Sequence, residues 1–442
     1  MIQSTANFFT RIMQRWLPDA FIFAAIITFI VFVAGMLGQG QSPVAMADHW
    51  GKGVWKLLSF SMQVTITLVA GHILAQTPLV KAVLRAVASL AKTPPQAIML
   101  MTFVSMICCW LSWGFGLIAS ALLAKEIAAR IRGVHYALLV AAAYSGFLIW
   151  HAGLSGSIPL KIAAPDGGAI SQLMNGQAVP VSDTIFSMPI LTISIILLIT
   201  LPILNRFMLP AVDETKEIDP SLLDSVELEP IDRSTLTPAE KLEHSFFVSG
   251  FLGFLGATYI VNYFLEGGKL SLNTINLIFV VLGILLHKTP HNYLKALQDA
   301  IGGAASIVLQ FPLYAGIMGM MVHSGLAQSV SEWFVSISNI YTFPLFTFLS
   351  AGIVNFFVPS GGGQWAVQAP IVLPAAESLG IPVHQAAMSV ALGDAWTNMV
   401  QPFWALPLLG IAGLSIKDIM GYCTVCLLWS GLVMGLGLMF LY

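Results

Sequence analysis

Apolar runs of about 20 residues recur along this chain from near its first residue to its last, and one such run is roughly what spans a bilayer. A chain patterned this way folds only where lipid or other apolar helices cover those runs. The composition agrees. Of 442 residues, 57% are hydrophobic and only 9% are charged, against about 25% charged in a soluble domain. That deficit excludes disorder, nucleic-acid binding and an ordinary cytosolic enzyme. An all-α polytopic membrane protein remains.

The acids are unevenly placed. Ten of 21 fall in one stretch: Asp213, Glu214, Glu217, Asp219, Asp224, Glu227, Glu229, Asp232, Glu240 and Glu243. This divides the chain into an N-terminal half (1–207), an acidic linker (208–246), a lone span (247–264) and a C-terminal half (265–442). A net charge of −2 offers no basic surface for a partner. Cys108, Cys109, Cys423 and Cys426 all lie inside apolar runs and read as packing residues, since no second pair accompanies the CxxC spacing. The N-terminal pattern, with Arg11, Arg15 and Trp16 before a full-length apolar run, is not that of a cleaved signal peptide. Residues 5–17 read as an interfacial amphipathic helix.

Spans are expected at about 19–38, 54–77, 184–207, 247–264, 272–287, 296–322 and 419–441. Two more, 136–164 and 383–414, are interrupted near their middles. The stretches 97–130 and 345–378 differ: each has two limbs of roughly 15 residues around a Gly-rich tip. Such a limb reaches about 22 Å, short of the ~30 Å hydrocarbon core. These read as re-entrant hairpins, each preceded by an amphipathic arm at 78–92 or 324–340. With nine crossings and the N-terminus inside, 15 of 19 basic residues face the cytoplasm; Lys52, Lys56, Lys161 and Lys269 do not. The linker is then cytoplasmic and the C-terminus external.

The halves repeat one another. Leu68-Val69-Ala70-Gly71 recurs as Leu313-Tyr314-Ala315-Gly316, Gly114-Phe115-Gly116 as Gly361-Gly362-Gly363, and Gly146 as Gly393. The order of features carries more weight than these identities: two spans, an arm, a hairpin, a broken span and a final span, twice. The lone middle span makes the repeats inverted. Inverted repeats with helices interrupted at matching places are the pattern of a secondary transporter, with substrate bound where the breaks converge.

Irregular backbone at membrane depth must face protein or a water-filled cavity. At the first tip, Ser112, Trp113, Gly114 and Gly116 are candidates; at the second, Ser360, Gly361, Gly362, Gly363, Gln364 and Trp365. A serine and glycines opening a helical limb present free N–H groups and a positive dipole end, which suits a carboxylate. Close packing by small residues is the alternative. The breaks add Ser155 and Ser157, then Trp396, Thr397, Asn398 and Gln401, with Pro402 freeing a carbonyl. Hydroxyls and freed carbonyls near Ser360, Thr397 and Asn398 could hold Na⁺. Trp113, Trp150, Trp365, Trp396 and Trp404 either wall an apolar pocket or anchor at interfaces. Asp394 and His151 are intramembrane ionisable groups and candidates for ion coupling, with H⁺ or Na⁺, or else are packed structural groups. No cofactor and no metal centre is expected. No Arg or Lys lies near either tip or break, so one carboxylate on a small body fits better than a di- or tricarboxylate.

The chain resembles the bacterial short-chain fatty acid transporter family over nearly its whole length. The resemblance rests on Arg15-Trp16-Leu17-Pro18-Asp19, Ala91-Lys92-Thr93-Pro94, Trp113-Gly114-Phe115-Gly116-Leu117, Leu286-His287-Lys288-Thr289-Pro290, Val358-Pro359-Ser360-Gly361-Gly362-Gly363, Gln401-Pro402-Phe403-Trp404-Ala405-Leu406-Pro407 and Asp418-Ile419-Met420-Gly421-Tyr422. It implies uptake of short acids such as butyrate or acetoacetate across the bacterial inner membrane. It also implies a homodimer with a scaffold and a moving transport unit, as in the wider ion transporter superfamily. Sodium-coupled relatives carry Ser-Asn-Thr at each tip. Here the tips read Ser112-Trp113-Gly114 and Ser360-Gly361-Gly362, which brings proton coupling forward. A carrier of another small anion, an anion channel and an intramembrane enzyme are the other classes. No zinc, nucleophile-elbow or phosphate-loop motif supports the enzyme.

Overall fold

The computed structural model describes residues 2–164, 169–174, 176–223, 236–268 and 271–442, and among them the chain is helical without strands. Asp224, Glu227, Glu229, Asp232, Arg233 and Lys269 lie outside the described residues. Seven described helices are long and apolar enough to cross a bilayer, or eight if Ile307–His323 and Leu326–Ser336, bent by 57°, count as one. The bend is where the expected second arm leaves its span.

The helix starts are written in the sequence. Asp19 accepts the Phe21 N–H to cap Ala20–Gln39, Ser42 caps Pro43–Val54, and Thr289 caps Pro290–Ile301. In the last two, proline sits where a helix has no acceptor for its N–H anyway. Two of these caps belong to the stretches that carry the family resemblance.

Both expected hairpins form. The first is Pro94–Leu111 and Trp113–Arg130, the second Phe343–Phe357 and Gly361–Ser378. Three of the four limbs have 18 residues rather than the expected 15 or so. They reach about 27 Å at 1.5 Å per residue, and Pro94–Leu111 passes a length test for a full span. The hairpin comes from the turn, not from short limbs. It turns at Ser112 (φ −158°, ψ 116°) and at Ser360 (φ −159°, ψ 104°), nearly the same extended backbone. The glycines lie beyond the turn, in the first helical residues of each second limb.

Two helices of 12 residues depart from the expected map: Pro43–Val54, and Pro290–Ile301, whose second half the expected span at 296–322 takes in. That span begins at Ala305. They pack on the opposite half, Pro43–Val54 against Ala305–His323 and Pro290–Ile301 against Leu58–Ala75. Gly53 and Gly319 make the first contact possible: a Cβ on Gly53 would lie 2.6 Å from the Ala315 carbonyl. The exchange is reciprocal elsewhere too. Ala20–Gln39 packs on Ala305–His323, and Leu272–His287 on Leu58–Ala75.

The hairpins enter from opposite faces. The first opens toward the face where Tyr136 OH donates to the Ala412 carbonyl (2.9 Å), the Tyr136 N–H to the Lys216 carbonyl (2.8 Å) and the Gly133 N–H to Glu217 (2.5 Å). The described start of the linker and the N-terminal helix Ile2–Trp16 lie there, the latter against the last helix, Ile416–Phe440. The second hairpin runs through residues 379–382 into Val383–Thr397, whose His384 lies beside Tyr442 at the other face.

Candidate functional site

The first broken helix is Tyr136–Ser145, a 3₁₀ stretch Gly146–Ala152 and Ser157–Ala163. The second is Val383–Thr397, a 3₁₀ turn Asn398–Val400 and Pro402–Ala412. Both tips converge on the first break. The Trp113 N–H donates to Ser155 Oγ at 2.9 Å, and the Leu154 N–H to the Trp110 carbonyl at 2.8 Å. Two residues on, Ser157 meets the other hairpin: a Cβ on Gly361 would lie 2.5 Å from His151 Cε1 and 2.7 Å from Ser157 Oγ.

The first tip ends a cavity of about 540 Å³. Ser112, Trp113, Gly114 and Ser155 line it at the tip, Leu160, Leu272, Ile275 and Phe279 form apolar wall beside Ser271, and among the described residues no charged side chain lines it. Gly116 N–H is the first to return to the helix, donating to the Ser112 carbonyl at 2.8 Å. The N–H groups of Gly114 and Phe115 therefore have no intrahelical acceptor. Ser155 Oγ, accepting from Trp113, keeps its own hydrogen to donate. Ile275 and Phe279, four apart on one helical face, were not singled out in the sequence; that spacing was the available signal. Gly116 instead packs on the Cys109 backbone.

Behind this tip lies an aromatic cluster. Trp113 is 5.2 Å from Trp404, 6.2 Å from Trp150 and 6.1 Å from Phe60, ring centre to ring centre. Trp150 and Trp404 are buried with indole N–H groups unpartnered. Trp396 is elsewhere. Its N–H donates to the Leu427 carbonyl at 2.7 Å and its ring stacks on Phe348 at 4.8 Å, filling the seam between hairpin two and the last helix.

At the second tip, Ser360 caps its own limb: Gly363 N–H reaches its Oγ at 3.3 Å and Gln364 N–H its carbonyl at 2.6 Å. Gly361 and Gly362 keep N–H groups without intrahelical acceptors. Gly361 is pressed on His151, whereas the space beside Gly362 is open. Gln364 ties limb to limb, its amide donating to the Ala351 carbonyl and Gln368 Oε1, both at 2.8 Å. Trp365 is fully buried.

The second break is held by Asn355, a residue at the end of the preceding limb that the sequence reading did not rank. Its amide donates to the Asp394 carbonyl (2.8 Å), Thr397 Oγ1 (3.0 Å) and Asn398 Oδ1 (2.8 Å). Thr397 donates to the Gly352 carbonyl at 2.8 Å. Gln401 donates to the carbonyls of Asn355 and Phe356 at 3.0 and 3.1 Å. The freed Asn398 carbonyl takes the Tyr144 hydroxyl at 2.6 Å. The oxygens that could have served Na⁺ at Thr397 and Asn398 are thus engaged by protein donors. The buried polar atoms left unpartnered around them include Asp394 Oδ2, Asn355 Oδ1 and Gln401 Oε1.

His151 and Asp394, 243 residues apart in sequence, meet at 3.1 Å (Nδ1 to Oδ1), both fully buried. Glu126, near the base of the first hairpin, pairs with Arg85 of the first arm at 2.9 Å.

A family model described as short chain fatty acid transporter matches residues 1–441. A protein of Escherichia coli (strain K12), provisionally named a short-chain fatty acid transporter, is 44% identical over 99% of both chains. One of Haemophilus influenzae with the same provisional name is 43% identical over the whole of both. Among solved structures, the Alcanivorax borkumensis YdaH transporter is 12% identical with TM-score 0.41, over 96% of this chain and 97% of its own. Neisseria gonorrhoeae MtrF, described with a class of antimetabolite efflux pumps, is 13% identical with TM-score 0.34, over 97% of each chain. At those scores neither structure bears on the site.

Proposed function

The chain belongs to the short-chain fatty acid transporter family, and from that premise we propose that it takes up short monocarboxylates such as butyrate or acetoacetate as a secondary carrier. A multi-pass membrane transporter, not an enzyme, follows from the family. The substrate class rests on one observation, the cavity at the first tip, whose described lining carries no charged side chain. Its apolar walls suit a body of a few carbons. Its polar end offers the Ser112 and Ser155 hydroxyls and the first-turn amides of Gly114 and Phe115 to one carboxylate. A second carboxylate would enter a part walled by apolar side chains with only the Ser271 hydroxyl described there to meet it, a costly burial.

The transport cycle we propose is alternating access of elevator type, within a homodimer in the bacterial inner membrane. In support, helical contacts fall into two groups. Ala20–Gln39 through Leu58–Ala75 pack with Phe246–Leu265 through Ala305–His323, while hairpins, broken helices and final spans pack mostly on each other. The bias of basic residues supports a cytoplasmic linker face, so the cavity, which reaches Ser271 and Leu160, opens to the periplasm. Hairpins entering from opposite faces support an inverted repeat.

The test is uptake of labelled acetate, butyrate, acetoacetate and succinate into vesicles. We expect saturable uptake of the monocarboxylates, competed by one another and not by succinate, with half-saturation raised in Ser112→Ala and Ser155→Ala. Saturable succinate uptake without butyrate uptake contradicts the reading.

A further inference from the structure

We infer that Asp394 binds the coupling proton on Oδ2, and that His151 stays neutral and positions it. This rests on the carrier reading above and divides labour between the tips: the acid at the first, the proton beneath the second.

The tautomer of His151 is set by its neighbours. The Ile158 N–H points at Nε2 from 3.1 Å. A backbone amide only donates, so Nε2 bears no hydrogen. Ser157 Oγ lies 3.4 Å from the same nitrogen and can donate to it as well. The ring hydrogen is therefore on Nδ1, directed at Asp394 Oδ1 at 3.1 Å. An imidazolium would drive a second hydrogen into the Ile158 amide. The pair thus carries one negative charge when Asp394 is ionised and none when it is protonated. Oδ1 already accepts from His151. Oδ2 is buried and unpartnered, so it is the oxygen free to take the proton. The step moves one proton between Asp394 and water that reaches it when the tip withdraws.

Among the described residues nothing nearby offsets the charge otherwise. On its own helix the other titratable side chain is His384, at the far end. The first limb of hairpin two has none, and the second has Glu377, exposed at its base. The helix after the first break gives Lys161, exposed. The last helix gives Lys417 and Asp418 in its first turn, Tyr422, and the buried thiols Cys423 and Cys426. Among the described residues no three His, Cys, Asp or Glu side chains gather to hold a metal ion. A lone carboxylate at membrane depth is expensive, and a proton removes the cost with the atoms present. Gly361 closes the site: its backbone lies against His151 Cε1 and Ser157 Oγ with no room for a methyl. Withdrawal of the second tip would uncover the pair. Ser155 and Ser157, on one short break, touch the two tips and so link acid site to proton site.

The experiment combines infrared pH titration of the full chain in detergent with transport in proteoliposomes. We expect the spectrum of the wild type minus that of Asp394→Asn to hold one protonated-carboxyl stretch that titrates with pH. In His151→Asn, whose amide can still donate to Oδ1, the band should persist with its midpoint moved by a pH unit or more; in His151→Phe it should move further. Acetoacetate uptake above that of protein-free liposomes should follow an inward proton gradient and not a sodium gradient, and Asp394→Asn should lose that dependence at least tenfold. A wild-type minus Asp394→Asn difference with no carboxyl band, a difference band abolished by His151→Asn, or accumulation driven by sodium alone overturns the inference. An Asp394-dependent band in a protein that moves no acid supports the protonation and overturns the carrier reading, so the two failures are distinguishable.

Discussion

Asn355 shows how one side chain can organise a break in a helix. Three acceptors on the second broken helix converge on its single amide nitrogen. Asn355→Ala would strand all three, at a cost on the order of 3 kcal/mol, measurable as a lower unfolding temperature together with lost uptake. Unchanged values of both would show that the break supports itself. The glycines of the second tip separate in the same way. A methyl at Gly361 meets the fixed ring of His151, and overpacking of that kind costs about 1–3 kcal/mol; a methyl at Gly362 meets nothing within 4 Å. Gly361→Ala is expected to stop uptake and Gly362→Ala to spare folding. The reverse ranking, by transport assay and thermal melt, would misplace the tip. Sequence alone could not order these glycines, because identical residues in a row differ only in what the other half of the chain brings against them. The same holds for His151 and Asp394: each is conspicuous in an apolar run, but their pairing is a long-range contact.

Elements were the most legible scale. Apolar runs, their interruptions and Gly-rich tips located both hairpins and both breaks within a few residues. What misled was length. A limb of 18 residues can cross a bilayer, so the turn at Ser112 and not a shortage of residues makes the hairpin. The helices Pro43–Val54 and Pro290–Ile301 were missed because neither is long enough nor apolar enough to look like a span; their place is against the opposite half. Trp396, a candidate for pocket wall in the sequence, packs as a wedge between hairpin two and the last helix. Gly352 and Gly431 both close on its ring, to within 2.9 and 2.7 Å of a would-be Cβ. Trp396→Ala should therefore destabilise the seam by about 3–5 kcal/mol while leaving substrate preference as it was. A changed preference at unchanged stability would return Trp396 to the site.

Across the whole molecule, the linker is tied to the transport elements through His135. Its Nδ1 accepts the Lys216 N–H at 3.0 Å, and Nε2 faces the Tyr422 hydroxyl at 3.1 Å. Burial, with nearby Lys216, lowers its pKa from 6.5 to about 4. Because the folded pKa is depressed, the unfolded chain binds more protons between the two values. Stability is therefore complete above about pH 6.5, falls as the pH drops toward 4, and loses nothing further from this group below that. Thermal melts from pH 7 to 4 should show that slope, flattened in His135→Gln; an unchanged slope in the variant would assign it to other groups. In the proposed cycle, two hairpins from opposite faces alternately expose one site for a single carboxylate. Counterflow tests this, with labelled butyrate outside proteoliposomes and unlabelled butyrate or succinate inside. Internal butyrate should accelerate entry and internal succinate should not. Entry indifferent to what is inside would mean a channel, and would contradict it.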